Sequence, residues 1–265
     1  FMQKSMMNPV SVLKWLALFI LVPVSISAQA SQTIVSLDLC TDWMLLKYAS
    51  PSHKIIYSPL LYQSPPHWVP DQKKVHDGSL ENILQIDPDL ILSGEFNALT
   101  LRKRLKQLGQ NVISLSMPES VEGIKIYSDQ FASFVNVNPS LHQDLKLKNY
   151  PPRNKHMLLV GSNGIGTGRA TLEHDILKKA GYNNYLNHDG FSALNLEQLM
   201  NYPPDIMLET SQYSDTPSLA NLFSNHKALS RIPRGKIDKI QTWRWQCPGP
   251  WTLDLVDELA RQGHQ

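Results

Sequence analysis

Cysteine is nearly missing from this chain: Cys40 and Cys247 are the only two in 265 residues, and they stand 207 positions apart. There is no Cys-x-x-Cys pair, so a thiolate zinc site has no basis. In an exported protein an even pair is a disulfide candidate; two separate thiols are the alternative, and spacing alone leaves both open. Nucleophile motifs are missing too. No G-x-S-x-G occurs, and nine histidines are scattered without the i, i+4 spacing of a helical metal site. His67, His76, Glu95 and His188 would meet only through tertiary placement, so no metal residue is assigned. Charge of one sign is absent as well: 25 Lys and Arg face 23 Asp and Glu, which excludes the basic face that a nucleic-acid partner requires.

Long apolar runs are limited to the beginning of the chain. Lys4 and Lys14 precede the run Trp15 to Val24, which Pro23 interrupts short of the ~20 residues of a membrane span. Ala28-Gln29-Ala30 then supplies a small-residue cleavage site, so residues 1–30 read as a secretory signal peptide. No cysteine follows at once, and no lipid anchor is expected. Beyond residue 30 the chain balances 23 bases against 23 acids. With 42% apolar residues it has enough material for two cores of modest size.

What is present is a phrase stated twice. Residues 79–92 read SLENILQIDPDLIL and residues 195–208 read NLEQLMNYPPDIML, which places Glu81 and Glu197 at the same point of two copies 116 positions apart. In each copy apolar residues recur at i, i+3 and i+4 (Leu80, Ile83, Leu84; Leu196, Leu199, Met200), the pattern of a short helix with one buried face. Pro88 and Pro204 end that helix, and the apolar stretches 90–93 and 206–209 read as buried strands. One α/β unit is therefore built twice.

The rest of the chain keeps the same rhythm. Strands are expected at 33–37, 54–57, 111–115, 156–160 and 236–241; helices at 42–48 (capped by Thr41), 99–108, 171–179, 218–222 and 252–261. Residues 119–152, with Val121, Ile124, Tyr127, Phe131 and Phe134 at helical spacing, read as a connector. The expected fold class is α/β, two Rossmann-like lobes with parallel sheets joined by a single connecting helix: an N-terminal lobe over 31–118 and a C-terminal lobe over 153–265.

In parallel α/β sheets the strand C-termini and helix N-termini share one side, and ligands bind there. Glu81 and Glu197, in the first turns of their helices and off the apolar face, should stand exposed at that rim. Strand-end logic also projects Asp38 and Cys40, Tyr62 and Trp68 from the long loop 58–78, Phe96, Asn163, Tyr213, and the segment Trp243-Arg244-Trp245-Gln246-Cys247. Rigid aromatic surface with one Arg suits a large, partly apolar, partly anionic ligand. The glycine-rich turn 161–168, GSNGIGTG, between an expected strand and helix is the one feature of a nucleotide-using α/β enzyme. It lacks G-x-G-x-x-G, because Arg169 stands where the last Gly would fall.

Together the leader, IVSLDLCTDWMLLKYA, DGSLENILQIDPDLIL, the GIGTG turn, NLEQLMNYPPDIML and the terminal WRWQCPGPWTLDLVDELA resemble the periplasmic substrate-binding proteins of ABC importers for cobalamin and iron-siderophores. The resemblance implies a periplasmic, monomeric, non-enzymatic protein without a cofactor. It would hold a corrinoid or ferric siderophore in an inter-lobe cleft and deliver it to a membrane permease through one glutamate per lobe, here Glu81 and Glu197. Cys40 and Cys247, at opposite lips, would then pair across the cleft. The connector is shorter than that family's usual one. Direct capture of zinc or manganese, or of haem, by a protein of the same fold is the alternative, with a nucleotide-using enzyme behind it.

Overall fold

The Pro-Asp step of the repeat is where each sheet is fastened. A computed structural model of the chain describes residues 31–63, 65–210, 219–235 and 243–262. The leader, Tyr213 and the strand expected at 236–241 lie outside the described residues. In the first half, β1 (Thr33–Ser36), β2 (Lys54–Ile56), β3 (Leu90–Gly94) and β4 (Val112–Leu115) form an all-parallel sheet in the order β2-β1-β3-β4. The crossovers are α1 (Leu39–Tyr48), α2 (Leu80–Ile86) and α3 (Leu99–Gln107). Alternate strand residues go to opposite faces, as a pleat requires. Ile34, Leu90, Leu92 and Leu115 join the core under α1, whereas Val35, Ile91 and Val112 pack with Ile83 of α2 and Leu105 of α3.

The second half repeats the plan and then departs from it. Its strands are β5 (His156–Val160), β6 (Ile165–Thr167), β7 (Asn183–Asn184), β8 (Phe191–Ala193) and β9 (Ile206–Glu209), with helices α6 (Leu172–Lys179) and α7 (Leu196–Asn201). β5 lies between β7 and β9, parallel to both, as β1 lies between β2 and β3. The match extends to single bonds. Thr33 N donates to Asp89 Oδ2 at 2.6 Å, and His156 N donates to Asp205 Oδ2 at 2.7 Å. Ile91 N donates to Asn111 O, and Met207 N to Pro233 O, where Arg234 bridges Met207 in parallel.

The departure begins at the glycine turn. Gly161 N donates to Ile165 O, and the chain doubles back into β6, which pairs antiparallel with β5 and β8. Gly164 has φ +68, and a Cβ there would sit 2.5 Å from the Phe223 ring, so only glycine fits this bend. The turn leads to a strand, and α6 starts only at Leu172 with Thr171 as its cap. The second sheet is therefore mixed, where an all-parallel one was expected.

Two segments reach both cores. The connector α4 (Gly123–Phe134) places Ile124 in the second core and Tyr127 and Phe131 in the first; the short α5 (Ser140–Gln143) adds Leu141 to the first. The chain's last segment does the same. Trp243 and Cys247, in and after α8 (Trp243–Gln246), and Trp251 pack in the first core, and Leu255, Val256 and Leu259 of α9 (Leu253–Gln262) pack in the second. Sequence order places all of these residues in the C-terminal lobe expected over 153–265, yet Trp243, Cys247 and Trp251 put their side chains in the first core while Trp245 packs against the second.

Candidate functional site

The C-terminal ends of β1, β3 and β4 open on one hollow. After β1 the chain must turn into α1, and the residue that starts the helix is Asp38, not the expected Thr41. Asp38 Oδ1 accepts from Cys40 N at 2.9 Å and Thr41 N at 3.2 Å, and Oδ2 accepts from Thr41 Oγ1 and from Gly94 N at the end of β3. Asp38 thus caps α1 and ties two strand ends together, at 1% exposure. Above it lies a concavity of ≈ 350 Å³ lined by Leu60, Gln63, Phe96, Asn97, Met117 and Gln246, with Cys40 and Cys247 also in its wall. Phe96 is 71% exposed.

Cys40 and Cys247 form a disulfide with a Cα–Cα distance of 5.0 Å. It does not straddle the two lobes, as their places in the sequence had implied. It fastens the returning C-terminal segment to the first turn of α1, inside one core. Beside it, Trp43, Trp68, Trp243 and Trp251 form a cluster in which Trp43 meets Trp243 edge-on at 5.4 Å and Trp243 meets Trp251 at 5.6 Å. The Lys47 ammonium lies 5.5 to 5.8 Å from the rings of Tyr48, Trp68 and Trp251.

The expected ligand residues divide accordingly. Trp243 and Arg244 are each 5% exposed, Trp243 in the tryptophan cluster and Arg244 ion-paired with Glu258, so neither has surface to offer a ligand. Trp245 is half-buried against the second core, and Trp68 half-buried on its neighbouring tryptophans. Tyr62 is partly exposed, but its hydroxyl accepts from Lys73 N at 2.5 Å and is tied into the loop. Phe96 lines the hollow, and Asn163 is exposed in the glycine turn with φ 59. Gln246, named within the expected 243–247 segment, also lines the hollow, whereas sequence reasoning passed over Gln63, Asn97 and Met117. It also passed over Leu219, 82% exposed in a 3-10 helix (Leu219–Asn221) that packs on the glycine turn at the end of β5, and Leu222 just after it, 63% exposed. For Gln63 and Asn97 the signal was adjacency to Tyr62 and Phe96; Met117, Leu219 and Leu222 carried none.

The two glutamates occupy identical positions. Ser79 caps α2 by accepting from Asn82 N, Asn195 caps α7 by accepting from Gln198 N, and Glu81 and Glu197 are each the second residue of the helix, exposed. Beside Glu81, Asp77 accepts from both the N–H and the hydroxyl of Ser79, which holds its carboxyl below the usual range.

Two titratable groups lie beneath this surface. The Asp42 carboxylate, wholly buried, accepts from Ser58 N and Ser58 Oγ; burial pushes its pKa up to about 7 against those hydrogen bonds. His76 is also buried, with Nε2 2.8 Å from Ser36 O and Nδ1 accepting from Gly78 N; desolvation lowers its pKa. His188 Nε2 lies 2.7 Å from Ser192 Oγ. His76 and His188, both weighed as metal ligands, thus have other partners, and no group of three His, Cys, Asp or Glu converges among the described residues. The glycine turn feeds β6 and provides no helix N-terminus for a phosphate.

No protein-family model and no curated protein sequence matches this chain. Solved structures do. A possible iron-binding periplasmic solute-binding protein of Staphylococcus epidermidis is similar with a TM-score of 0.66 at 17% identity, over 89% of this chain and 100% of its own. The periplasmic haem-binding protein HutB of Vibrio cholerae gives 0.61 at 16%, over 88% and 99%. The periplasmic vitamin B12-binding protein BtuF of Vibrio cholerae gives 0.57 at 15%, over 87% and 95%. At these identities the likeness is one of architecture, and with the duplicated sheets and the α4 connector it establishes that the chain has the two-lobed α/β fold of the periplasmic solute-binding proteins.

Proposed function

We propose that the chain is a periplasmic solute-binding protein, monomeric and without catalytic activity, that captures a corrinoid or ferric siderophore between its lobes and delivers it to the permease of an ABC importer. The lobes would be 31–118 and 153–265 with 119–152 between them, and the secretory leader over 1–30 would provide export. The observation that carries the reading is the pair Glu81 and Glu197: two exposed carboxylates at the same helical position of two equivalent units, each free of any structural bond among the described residues. A first-turn carboxylate gains only about 0.3 to 1 kcal/mol from its helix dipole. That accounts for one such residue more readily than for a matched pair on a duplicated scaffold. Cations on a membrane partner would meet both at once.

The test is charge reversal at both positions, Glu81→Lys with Glu197→Lys. Ligand affinity should be unchanged and uptake through the importer abolished; normal uptake by the double variant sinks the docking role. A second reading, haem as cargo, is favoured by the haem-binding proteins among the structural neighbours. A panel of cobalamin, cobinamide, haemin and ferric siderophores in a thermal-shift assay separates the two, because only a ligand that binds the folded chain raises its melting temperature.

A further inference from the structure

Among the described residues, the hollow at the end of the first sheet is lined by one acid, Asp38, and three amides, and by no cation. Gln63, Asn97 and Gln246 line it, all three exposed, and none of their carboxamides makes an intramolecular hydrogen bond among the described residues. Phe96 and Met117 supply its apolar wall. Below the floor the Asp38 carboxylate occupies the N-terminus of α1, the place where an anion would otherwise be received. Glu95 stands at the same strand end, accepting from Met117 N.

Three described cations of the surrounding elements are turned elsewhere. Arg102 donates to Gly94 O, Glu95 O and Ser114 Oγ. Lys47 is held over Tyr48, Trp68 and Trp251, and Arg244, the one anion receptor expected from sequence, is buried against Glu258. An anionic group placed here would have the Asp38 carboxylate beneath it and Glu95 at the same strand end, with no lining counter-charge among the described residues. A carboxamide, by contrast, both donates and accepts, and so suits an uncharged polar group.

We infer that the part of the ligand seated in this hollow carries no negative charge: it is uncharged or cationic, offers amide, hydroxyl or hydroxamate groups to Gln63, Asn97 and Gln246, and lays an apolar face on Phe96 and Met117. This rests on the solute-binding reading and narrows it. The amide-bearing rim of a corrinoid or a ferric trihydroxamate meets the requirement. Carboxylate-bearing haem and the trianionic ferric tricatecholates do not.

The experiment is titration calorimetry of the chain lacking its leader with four probes: cyanocobalamin, ferrioxamine B, haemin and ferric enterobactin. At least one of the first two should bind more than about tenfold tighter than either anion, the factor that one favourable hydrogen bond of roughly 1.4 kcal/mol supplies. The double variant Asn97→Ala with Gln246→Ala should weaken that probe by about tenfold at an unchanged melting temperature, because both carboxamides lose their bonds to it. Asn97→Lys should raise affinity for haemin or ferric enterobactin in a salt-sensitive way. Tighter binding of an anionic probe by the unaltered chain overturns the inference and leaves the solute-binding reading standing. Undiminished affinity in the double variant also overturns it. Binding of none of the four sinks the broader reading.

Discussion

Asp89 and Asp205 do the same work in the two lobes: each receives, on Oδ2, the backbone N–H that starts the central strand of its sheet, from Thr33 at 2.6 Å and from His156 at 2.7 Å. The conserved spacing of the duplicated phrase is thus structural at its Pro-Asp end and free for function at its Glu end. Replacing either aspartate with Ala removes a charge-assisted bond and should lower the free energy of unfolding by about 1.5 to 3 kcal/mol, with Asn, which keeps an acceptor, costing less. Urea denaturation of the four single variants checks this. Equal midpoints for Ala and Asn would show that the bond contributes nothing.

The disulfide acts within a lobe, and its effect should be on stability more than on opening. Cys40 and Cys247 are 207 residues apart, so the bond removes a very long loop from the unfolded ensemble. Chain-entropy arguments give about 5 kcal/mol for such a loop, with 2 to 5 typical of native bonds. Cys40→Ser with Cys247→Ser should therefore shift the denaturation midpoint down by a corresponding amount. Tryptophan emission should change too, because four indoles share the core that holds the bond. An unchanged midpoint together with an unchanged spectrum would refute this.

Arg244 illustrates a role that sequence and structure assign differently. Its guanidinium is buried against Glu258, at side-chain exposures of 6% and 23%. Removing one partner of such a pair strands a charge, at a cost of about 3 to 5 kcal/mol. Arg244→Ala should thus lower the melting temperature while leaving the affinity of the folded protein for its ligand within about twofold, a change below 0.5 kcal/mol. A loss of affinity without a loss of stability would return Arg244 to the ligand site.

The difference between what was legible and what was not follows the range of the interactions. The duplicated helix, its proline stop and its strand were readable because caps and apolar periods act over a few residues: Ser79, Leu80, Ile83 and Pro88 suffice. The same holds for α4, whose Ile124, Tyr127 and Phe131 keep helical spacing across two cores. The return of Trp243 and Trp251 to the first core was not readable, because nothing local distinguishes an indole that lines a cleft from one that meets Trp43. The glycine turn was misassigned for a similar reason. β6 is three residues long, too short for any period, and its partner β8 lies far along the chain. Asp38 and Thr41 are both good caps, and the choice between them was made by a distant bond, Gly94 N to Asp38 Oδ2 at 2.5 Å.

Asp42 makes a pH prediction of definite sign. Its folded-state pKa lies at about 7 against 3.8 for an exposed carboxyl, raised chiefly by burial. The folded state therefore prefers the protonated form. Stability from this group is complete below the unfolded value and is lost as pH rises from 3.8 through about 7. At 1.36 kcal/mol per unit the loss is about 4 kcal/mol. His53 and His76 oppose it: burial lowers both, so each loses stability as pH falls below its usual value of 6.5. The unaltered chain thus mixes two trends, and the variant separates them. Asn at position 42 keeps an acceptor for Ser58 N and cannot ionise. The advantage of Asp42→Asn over the unaltered chain should be small at pH 4.5 and grow by a few kcal/mol at pH 8, measured as urea midpoints at both values. A difference that does not move with pH would mean that Asp42 stays ionised in the folded protein, held so by the two bonds from Ser58.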